Sequence, residues 1–328
     1  MEGFIVYPTY RVVDGKAHIL LFGRLTNGES FLTINEFKPY FWVRERDSEK
    51  AQKILKELDA KNITVETSDF KNFDDEPVAK VTLTLPGEVP ELRKIFMERA
   101  IPSYEADIRF AYRFLIDYDI KAGVSITGTP ESRPEFAVDK VFFNPEIAPA
   151  KCEAKLRVLS IDIETDMKAS NIYAISLYSE RVKKVLLIGE GTYKNAETFK
   201  TEKEMLEAFA NAVREEDPDV ITGWNLIDFD IKVIRERFNA HQIPFILGRT
   251  LDECKLRIQE SFYEDSTADF PGRAVLDGLR LLKMSFIKLD DYKLNTAAKA
   301  ILGQEKLLVG DQRFEEIERL QKEDPQKL

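Results

Sequence analysis

The sequence predicts an α/β protein in two parts, and three observations carry that expectation. Residues 1–130 interleave short β-branched and aromatic runs with helix-forming stretches, as an α+β domain does. Beyond Pro130, residues 131–154 are broken by Pro134, Pro145 and Pro149 and hold no sustained periodicity, which predicts an extended linker. From residue 155 to residue 328, three apolar strands come first and helices then alternate with strands.

In the first part, Phe4-Ile5-Val6-Tyr7, His18-Ile19-Leu20-Leu21-Phe22-Gly23 and Tyr40-Phe41-Trp42-Val43 are aromatic and β-branched, as strands are. Residues 48–58 carry helix formers with Ile54, Leu55 and Leu58 at helical spacing. Residues 78–85 alternate as a strand before Pro86-Gly87. A helix is expected over 90–100, with Pro90 in its first turn. This gives the first domain an RNA-recognition-like character. In the second part, strands are expected over 156–163, 172–178 and 182–188. A helix over 202–214 buries Met205, Leu206, Phe209 and Val213 on one face. The short strand Asp219-Val220-Ile221-Thr222 leads through Gly223-Trp224-Asn225 to a helix over 230–238. That element order is the order of a ribonuclease-H-like domain.

Composition narrows the function classes. The 328 residues are 44% hydrophobic, with 22 Phe and 11 Tyr, so a packed core is expected rather than disorder. A net charge of −10 argues against polyanion binding by bulk electrostatics, so any nucleic-acid contact must use local basic residues or bound metal. Cys152 and Cys254 stand isolated, without redox or metal spacing, which suits a reducing cytoplasm. No apolar run reaches 18 residues and no signal-like start is present, so neither membrane insertion nor secretion is expected. His18 and His241 are the only histidines, too few for a histidine-rich metal site.

Two acidic patterns carry chemistry. Asp162-Ile163-Glu164 ends an apolar strand, and alternation puts both carboxylates on one face. Such a pair repels itself unless a cation intervenes, and hard divalent ions take oxygen ligands. A surface ion pair would read the same way. The second pattern, Asn225-Leu226-Ile227-Asp228-Phe229-Asp230, sits at a strand-to-helix crossing, where open α/β sheets bind ligands. Asp230 could equally cap the helix.

Together these segments resemble the N-terminal and 3′→5′ exonuclease portion of family B DNA polymerases of the archaeal or bacterial polymerase II type. Ser160-Ile161-Asp162-Ile163-Glu164-Thr165 is similar to the family's first exonuclease motif. Asn225-x-x-x-Phe229-Asp230, preceded by Asp217-Pro218-Asp219, is similar to the second. Gly248-Arg249, Gly272-Arg273-Ala274-Val275-Leu276-Asp277, Tyr292-Lys293-Leu294 and Ile301-Leu302-Gly303 match its connecting segments, and Phe37-Lys38-Pro39-Tyr40 and residues 106–117 its N-terminal part.

The resemblance implies metal-dependent proofreading in DNA replication or repair. Asp162, Glu164 and Asp230 would be the catalytic and metal-binding residues, with two Mg²⁺ or Mn²⁺ ions in the complete site. Thr165, Asn225 and Phe229 would contact DNA at its single-stranded 3′ end. Core packing reads Phe229 as well, and a structural role fits Asp277. Tyr7, Pro39, Tyr40, Val89, Pro90, Ile108, Phe110 and Arg113 stand where archaeal members capture uracil in the template strand. They also read as core residues of an RNA-recognition-like domain. The implied partners are DNA, the remaining polymerase domains and a sliding clamp, in a cytoplasmic, nucleoid-associated setting.

The family's third motif, Tyr-x-x-x-Asp, is expected to be missing. Tyr193, Tyr263 and Tyr292 are followed at the fourth position by Glu197, Thr267 and Thr296. A fragment ending before that motif, and before palm, fingers and thumb, is therefore expected to cleave weakly or not at all. A catalytically silent nucleic-acid-binding or scaffold module is the alternative. A histidine-using exonuclease fails, because His241 is followed by Ile246 at the fifth position.

Overall fold

The computed structural model describes residues 1–259, 265–304, 313–324 and 326. The chain divides into two units, Met1–Arg133 with Val138–Ala154 and Pro134–Ala137 with Lys155–Leu328.

The first unit holds two sheets. β1 (Glu2–Val13) and β2 (Lys16–Leu25) form a long hairpin. Asp14 and Gly15 close it at φ of 50° and 73°, the pair of positive φ values that an Asp-Gly hairpin turn provides. β3 (Ser30–Glu36) continues the sheet. β4 (Tyr40–Arg44), α1 (Ser48–Glu57), β5 (Thr64–Lys71), β6 (Pro77–Thr82), α2 (Glu88–Glu98) and β7 (Ser103–Tyr104) then build a second sheet, in the antiparallel order β5-β6-β4-β7. Strand and helix order here is βαββαβ. Phe41, Val43, Ala79 and Val81 on one face pack with Ile54 and Leu55 of α1 and Leu92 and Phe96 of α2. α2 begins at Glu88, two residues before the expected Pro90, which lies within the first turn where its missing N–H costs nothing.

α3 (Phe110–Asp117) and β8 (Gly123–Thr127) return to the first sheet, where Phe114 packs with Ile19, Leu21 and Phe31. The expected linker is corrected here. Residues 131–154 contain β9 (Lys140–Phe143) and β10 (Glu146–Pro149), the two outermost strands in the order β10-β8-β1-β2-β3-β9. Edge strands tolerate proline, so the prolines that break periodicity do not exclude pairing. Asp139 secures this segment by accepting the backbone N–H (2.7 Å) and hydroxyl (2.9 Å) of Ser30.

In the second unit, β11 (Val158–Thr165), β12 (Ile172–Tyr178) and β13 (Lys183–Ile188) pair antiparallel, and β14 (Ala196–Phe199) lies parallel on the edge. α4 (Glu202–Glu216) starts with a reciprocal cap between Thr201 and Glu204. β15 (Val220–Gly223) pairs parallel to β11 and is followed by α5 (Lys232–Ala240). β16 (Lys255–Arg257) and β17 (Thr267–Asp269) make a small hairpin, and β18 (Ala274–Asp277) adds parallel to β15. The order β14-β13-β12-β11-β15-β18 is that of a ribonuclease-H-like sheet with one added edge strand. Helices α6 (Gly278–Met284), α7 (Leu294–Leu302) and α8 (Arg313–Glu323) follow. The core combines Leu159, Ile161 and Ile163 with Phe209 and Phe238, whose rings meet edge-on at 6.4 Å. Each such buried side chain contributes roughly 1.5–3 kcal/mol.

Candidate active site

β11, β15 and β18 run parallel, with Ser160 opposite Thr222 and Gly223 opposite Asp277, so their carboxyl ends share one edge of the sheet. On β11 burial alternates as expected. Ile161 and Ile163 are buried, Asp162 is exposed and Glu164 half-buried. Thr165 is also buried, and its hydroxyl donates to the carbonyl of Asp166 at 2.9 Å.

β15 ends in a turn only certain residues allow. A Cβ on Gly223 would stand 2.6 Å from the carbonyl oxygen of Ile161, so this close approach needs glycine. Asn225 follows at φ +58°, a left-handed conformation that asparagine tolerates. The expected helix start at Asp230 is then replaced by a single π turn over Ile227–Ile231, in which the Ile231 N–H donates to the Leu226 carbonyl at 2.8 Å. Across this turn, neighbouring residues meet opposite environments. Phe229 is 39% exposed, whereas Asp230 is 2% exposed.

Asp230 reaches back to β11. Its Oδ1 accepts the N–H of Ile163, the residue between Asp162 and Glu164, at 3.2 Å. Burial pushes its pKa up to about 8, with the Asp162 charge adding and Asp277 adding less, although backbone hydrogen bonds oppose the rise. Asp277 ties in the third strand. Its Oδ1 caps α6 at the Leu279 N–H (3.0 Å), and its Oδ2 accepts the Ile227 N–H (3.1 Å) that opens the π turn. Asp277 therefore holds the turn that carries Asp230. An aspartate directly before Gly278-Leu279 is the sequence signal for its capping half, but nothing in the sequence announces its reach to Ile227.

Among the described residues, no three His, Cys, Asp or Glu side chains are gathered closely enough to hold a metal ion. The donor chemistry fits a hard cation nonetheless. The donors are carboxylates, and the charge of Asp162 adds to the cost of ionising Asp230, which a divalent ion would relieve. The Tyr-x-x-x-Asp spacing does occur in the chain, at Tyr10 and Asp14, but these lie on the β1–β2 hairpin of the first unit. Tyr263 lies outside the described residues.

The connecting segments form a different acidic cluster. Arg249 donates to Asp217 through Nε (2.8 Å) and to Asp219 through Nη2 (2.8 Å). Arg273 donates to Asp217 at 2.9 Å, to the Leu247 carbonyl at 2.9 Å and to the Pro218 carbonyl. Asp219 also accepts the Arg157 N–H at 2.9 Å. Both arginines and Asp219 are fully buried. Burial, then repulsion from Arg249, pulls the Arg273 pKa down to about 10, still far above neutrality.

Of the first-unit residues, Tyr40 and Arg113 meet, with the guanidinium 4.9 Å from the ring centroid and Nη1 3.4 Å from the hydroxyl. Phe110 stacks on Phe37 at 5.6 Å, and Phe37 meets Tyr40 edge-on at 6.4 Å. Tyr7 packs instead against Phe22 at 6.2 Å, and Val89 packs on the core beneath α2. Pro90 lies in α2, the Pro39 carbonyl accepts the Leu83 N–H at 2.9 Å, and Ile108 donates to the Glu105 carbonyl at 3.4 Å.

The fold resembles that of the family B DNA polymerase of Pyrobaculum calidifontis, with a TM-score of 0.77 and 22% identity over 96% of this chain and 42% of that one. The DNA polymerase of Methanocaldococcus jannaschii is 30% identical over 93% of this chain and 18% of its own length. DNA polymerase II of Escherichia coli is 25% identical over 98% of this chain and 41% of its own. The chain thus spans between about a fifth and two-fifths of the length of these relatives. The family model for the exonuclease domain of family B DNA polymerases matches residues 101–297, more than half of the chain, and the chain belongs to that family.

Proposed function

We propose that this chain supplies the DNA-binding and 3′→5′ proofreading part of a family B DNA polymerase acting in replication or repair. The observation that carries this reading is Asp230, a buried carboxyl held against β11 beside Asp162. Asp162, Glu164 and Asp230 would hold Mg²⁺ or Mn²⁺, two ions in the complete site, and such ions stabilise the oxygens of a phosphodiester displacement and activate water. Around them, Asn225 and Phe229 would receive the single-stranded 3′ end, the half-exposed ring lying against an unpaired base. Thr165 would line the end of β11. The partners would be DNA, the remaining polymerase domains and a sliding clamp, in a cytoplasmic, nucleoid-associated setting.

In the first unit, the contact between Tyr40 and Arg113 supports a slot for uracil in a template strand, to which Tyr7, Pro39, Val89, Pro90, Ile108 and Phe110 would contribute, although Tyr7 and Val89 pack elsewhere in this structure. Equal affinity for single strands with and without one deoxyuridine would remove that slot.

The main reading is tested by release of terminal nucleotides from 3′-labelled single-stranded DNA with Mg²⁺ or Mn²⁺. Release is expected to be slow, since neither tyrosine after Asp230 is followed by aspartate at the fourth position. Metal binding gives an independent readout. Either ion should raise the melting temperature of the chain, and Asp162→Asn should abolish both the shift and the release. Absence of both in the unsubstituted chain overturns the reading.

A further inference from the structure

The π turn over Ile227–Ile231 is held by groups outside it. The Ile227 N–H donates to Asp277 at 3.1 Å, and Asp230 accepts the Ile163 N–H at 3.2 Å. Between these two buried residues stand the exposed pair Asp228 and Phe229. A ring that is 39% exposed is only partly fixed by packing, so its place depends on the backbone beside it.

α6 supplies a second hold on that backbone. Arg280, three positions beyond Asp277, donates through Nη2 to Asp228 Oδ2 at 2.9 Å. Its Nη1 donates to the carbonyl of Ser266, at the base of the β16–β17 hairpin. That base is firm. The Ser266 hydroxyl accepts the Gln259 N–H at 2.9 Å, and Ser266 is 2% exposed. One planar guanidinium thus serves acceptors on two segments, which the point charge of a lysine matches poorly.

Stability is a weak reason for this pair. The Asp228 side chain is 39% exposed, and exposed ion pairs contribute only about 0–1 kcal/mol. Position is a better one. A lone carboxylate beside Phe229 would repel an anionic strand, and Arg280 cancels that charge while it ties down the turn.

We propose that Arg280 is a positioning residue for the 3′ end of DNA. It locks Asp228 to α6 and to the hairpin base, and so sets where the Phe229 ring meets the terminal base. The role rests on the proofreading reading and adds to it a residue that touches neither DNA nor metal.

The test uses the whole chain and a single-stranded DNA whose 3′-terminal base is 2-aminopurine, a base whose emission reports its stacking. In EDTA, binding of the unsubstituted chain should change that emission, and Arg280→Met should shrink the change. With Mn²⁺ and saturating DNA, Arg280→Met and Asp228→Ala should each slow nucleotide release by about tenfold or more, as misplacement does. The double variant should be no slower than either, because the two side chains act as one pair. Arg280→Lys should recover part of the rate. Every variant should melt within a few degrees of the unsubstituted chain. Should Arg280→Met fail to fold, Asp228→Ala, at an exposed side chain, carries the emission and release tests.

Unchanged emission and release in both single variants overturn the positioning role alone. Losses that multiply in the double variant also overturn it, since the residues would then act separately. Tighter DNA binding by Asp228→Ala would mean that Arg280 meets phosphate itself, and overturns it too. If the unsubstituted chain neither changes the emission nor releases nucleotides, the proofreading reading fails and the positioning role falls with it.

Discussion

The second unit contains two clusters of acids at the ends of the same strands, and they are treated in opposite ways. Before β15, Asp217 and Asp219 are answered by the guanidinium groups of Arg249 and Arg273, both fully buried. After β11 and β15, Asp230 is also buried, but what acts on it is desolvation first and then the carboxylate of Asp162. The first arrangement fastens the loops before β18 to the start of β15. The second leaves like charges together at the edge where parallel sheets take ligands. Acidic residues alone therefore do not tell the two clusters apart; the buried arginines that answer the first do.

The sharpest way to break the first cluster is Arg249→Met. It leaves Asp217 and Asp219 buried with one guanidinium fewer, and removing one partner of a buried pair costs about 3–5 kcal/mol. Urea titration should read this as a lower midpoint for the second unit. An unchanged midpoint would mean that water already reaches the cluster.

Asp230→Asn should act in the opposite direction. A carboxyl whose folded pKa is raised from 3.8 to about 8 adds full stability only below its unfolded value and loses it as pH climbs toward 8. The amide keeps an oxygen for the Ile163 N–H and carries no charge. The variant should therefore melt a few degrees higher than the unsubstituted chain at pH 8 in EDTA, by about 1–3 kcal/mol, with the gap closing near pH 4. It should also lose the Mg²⁺-dependent shift. A variant that melts lower at pH 8 would show that the site is not strained by its own charge.

Glu202 gives the compensated counterpart on a smaller scale. Burial raises its pKa, but hydrogen bonds from Arg237 (2.6 Å), His241 (2.7 Å) and the Ile172 N–H (2.8 Å) outweigh that and hold it below 4.5. A depressed carboxyl contributes stability above its unfolded pKa and loses it as pH falls through the folded value. Thermal melts should decline for the unsubstituted chain below about pH 4.5, and Glu202→Gln should flatten that decline.

How far the sequence could be read depended on the range of the forces involved. Local periodicity located β11, β12, β13 and α4 closely, because alternation and a 3.6-residue stripe are written into neighbouring residues. The strands β9 and β10 were hidden, since their pairing is decided by strands outside the segment, β3 far back in sequence and β8 just before it, and prolines at sheet edges look like loops. Asp162 and Glu164 were legible from their own strand. That Asp230 would bond to Ile163 was not, because it depends on a π turn whose extra residue leaves no compositional mark. Gly248-Arg249 and Gly272-Arg273 were visible as motifs, but their shared purpose, neutralising Asp217 and Asp219, required the fold.

The smallest effect separates two roles of one residue. Asn225 stands at φ +58° and half-buried, so the turn gives a backbone reason for asparagine before any contact with DNA is invoked. Asn225→Ala should cost about 1–2 kcal/mol, because a Cβ without a compensating side-chain hydrogen bond disfavours the left-handed region. Asn225→Gly accepts that φ without a steric penalty, so its stability should stay within about 0.5 kcal/mol of the unsubstituted chain. If the side chain also receives the 3′ end, the glycine variant should keep its melting temperature and still release nucleotides more slowly. If release is unchanged in the glycine variant, asparagine is there for the backbone, and reception of the 3′ end falls to Phe229 and its exposed ring.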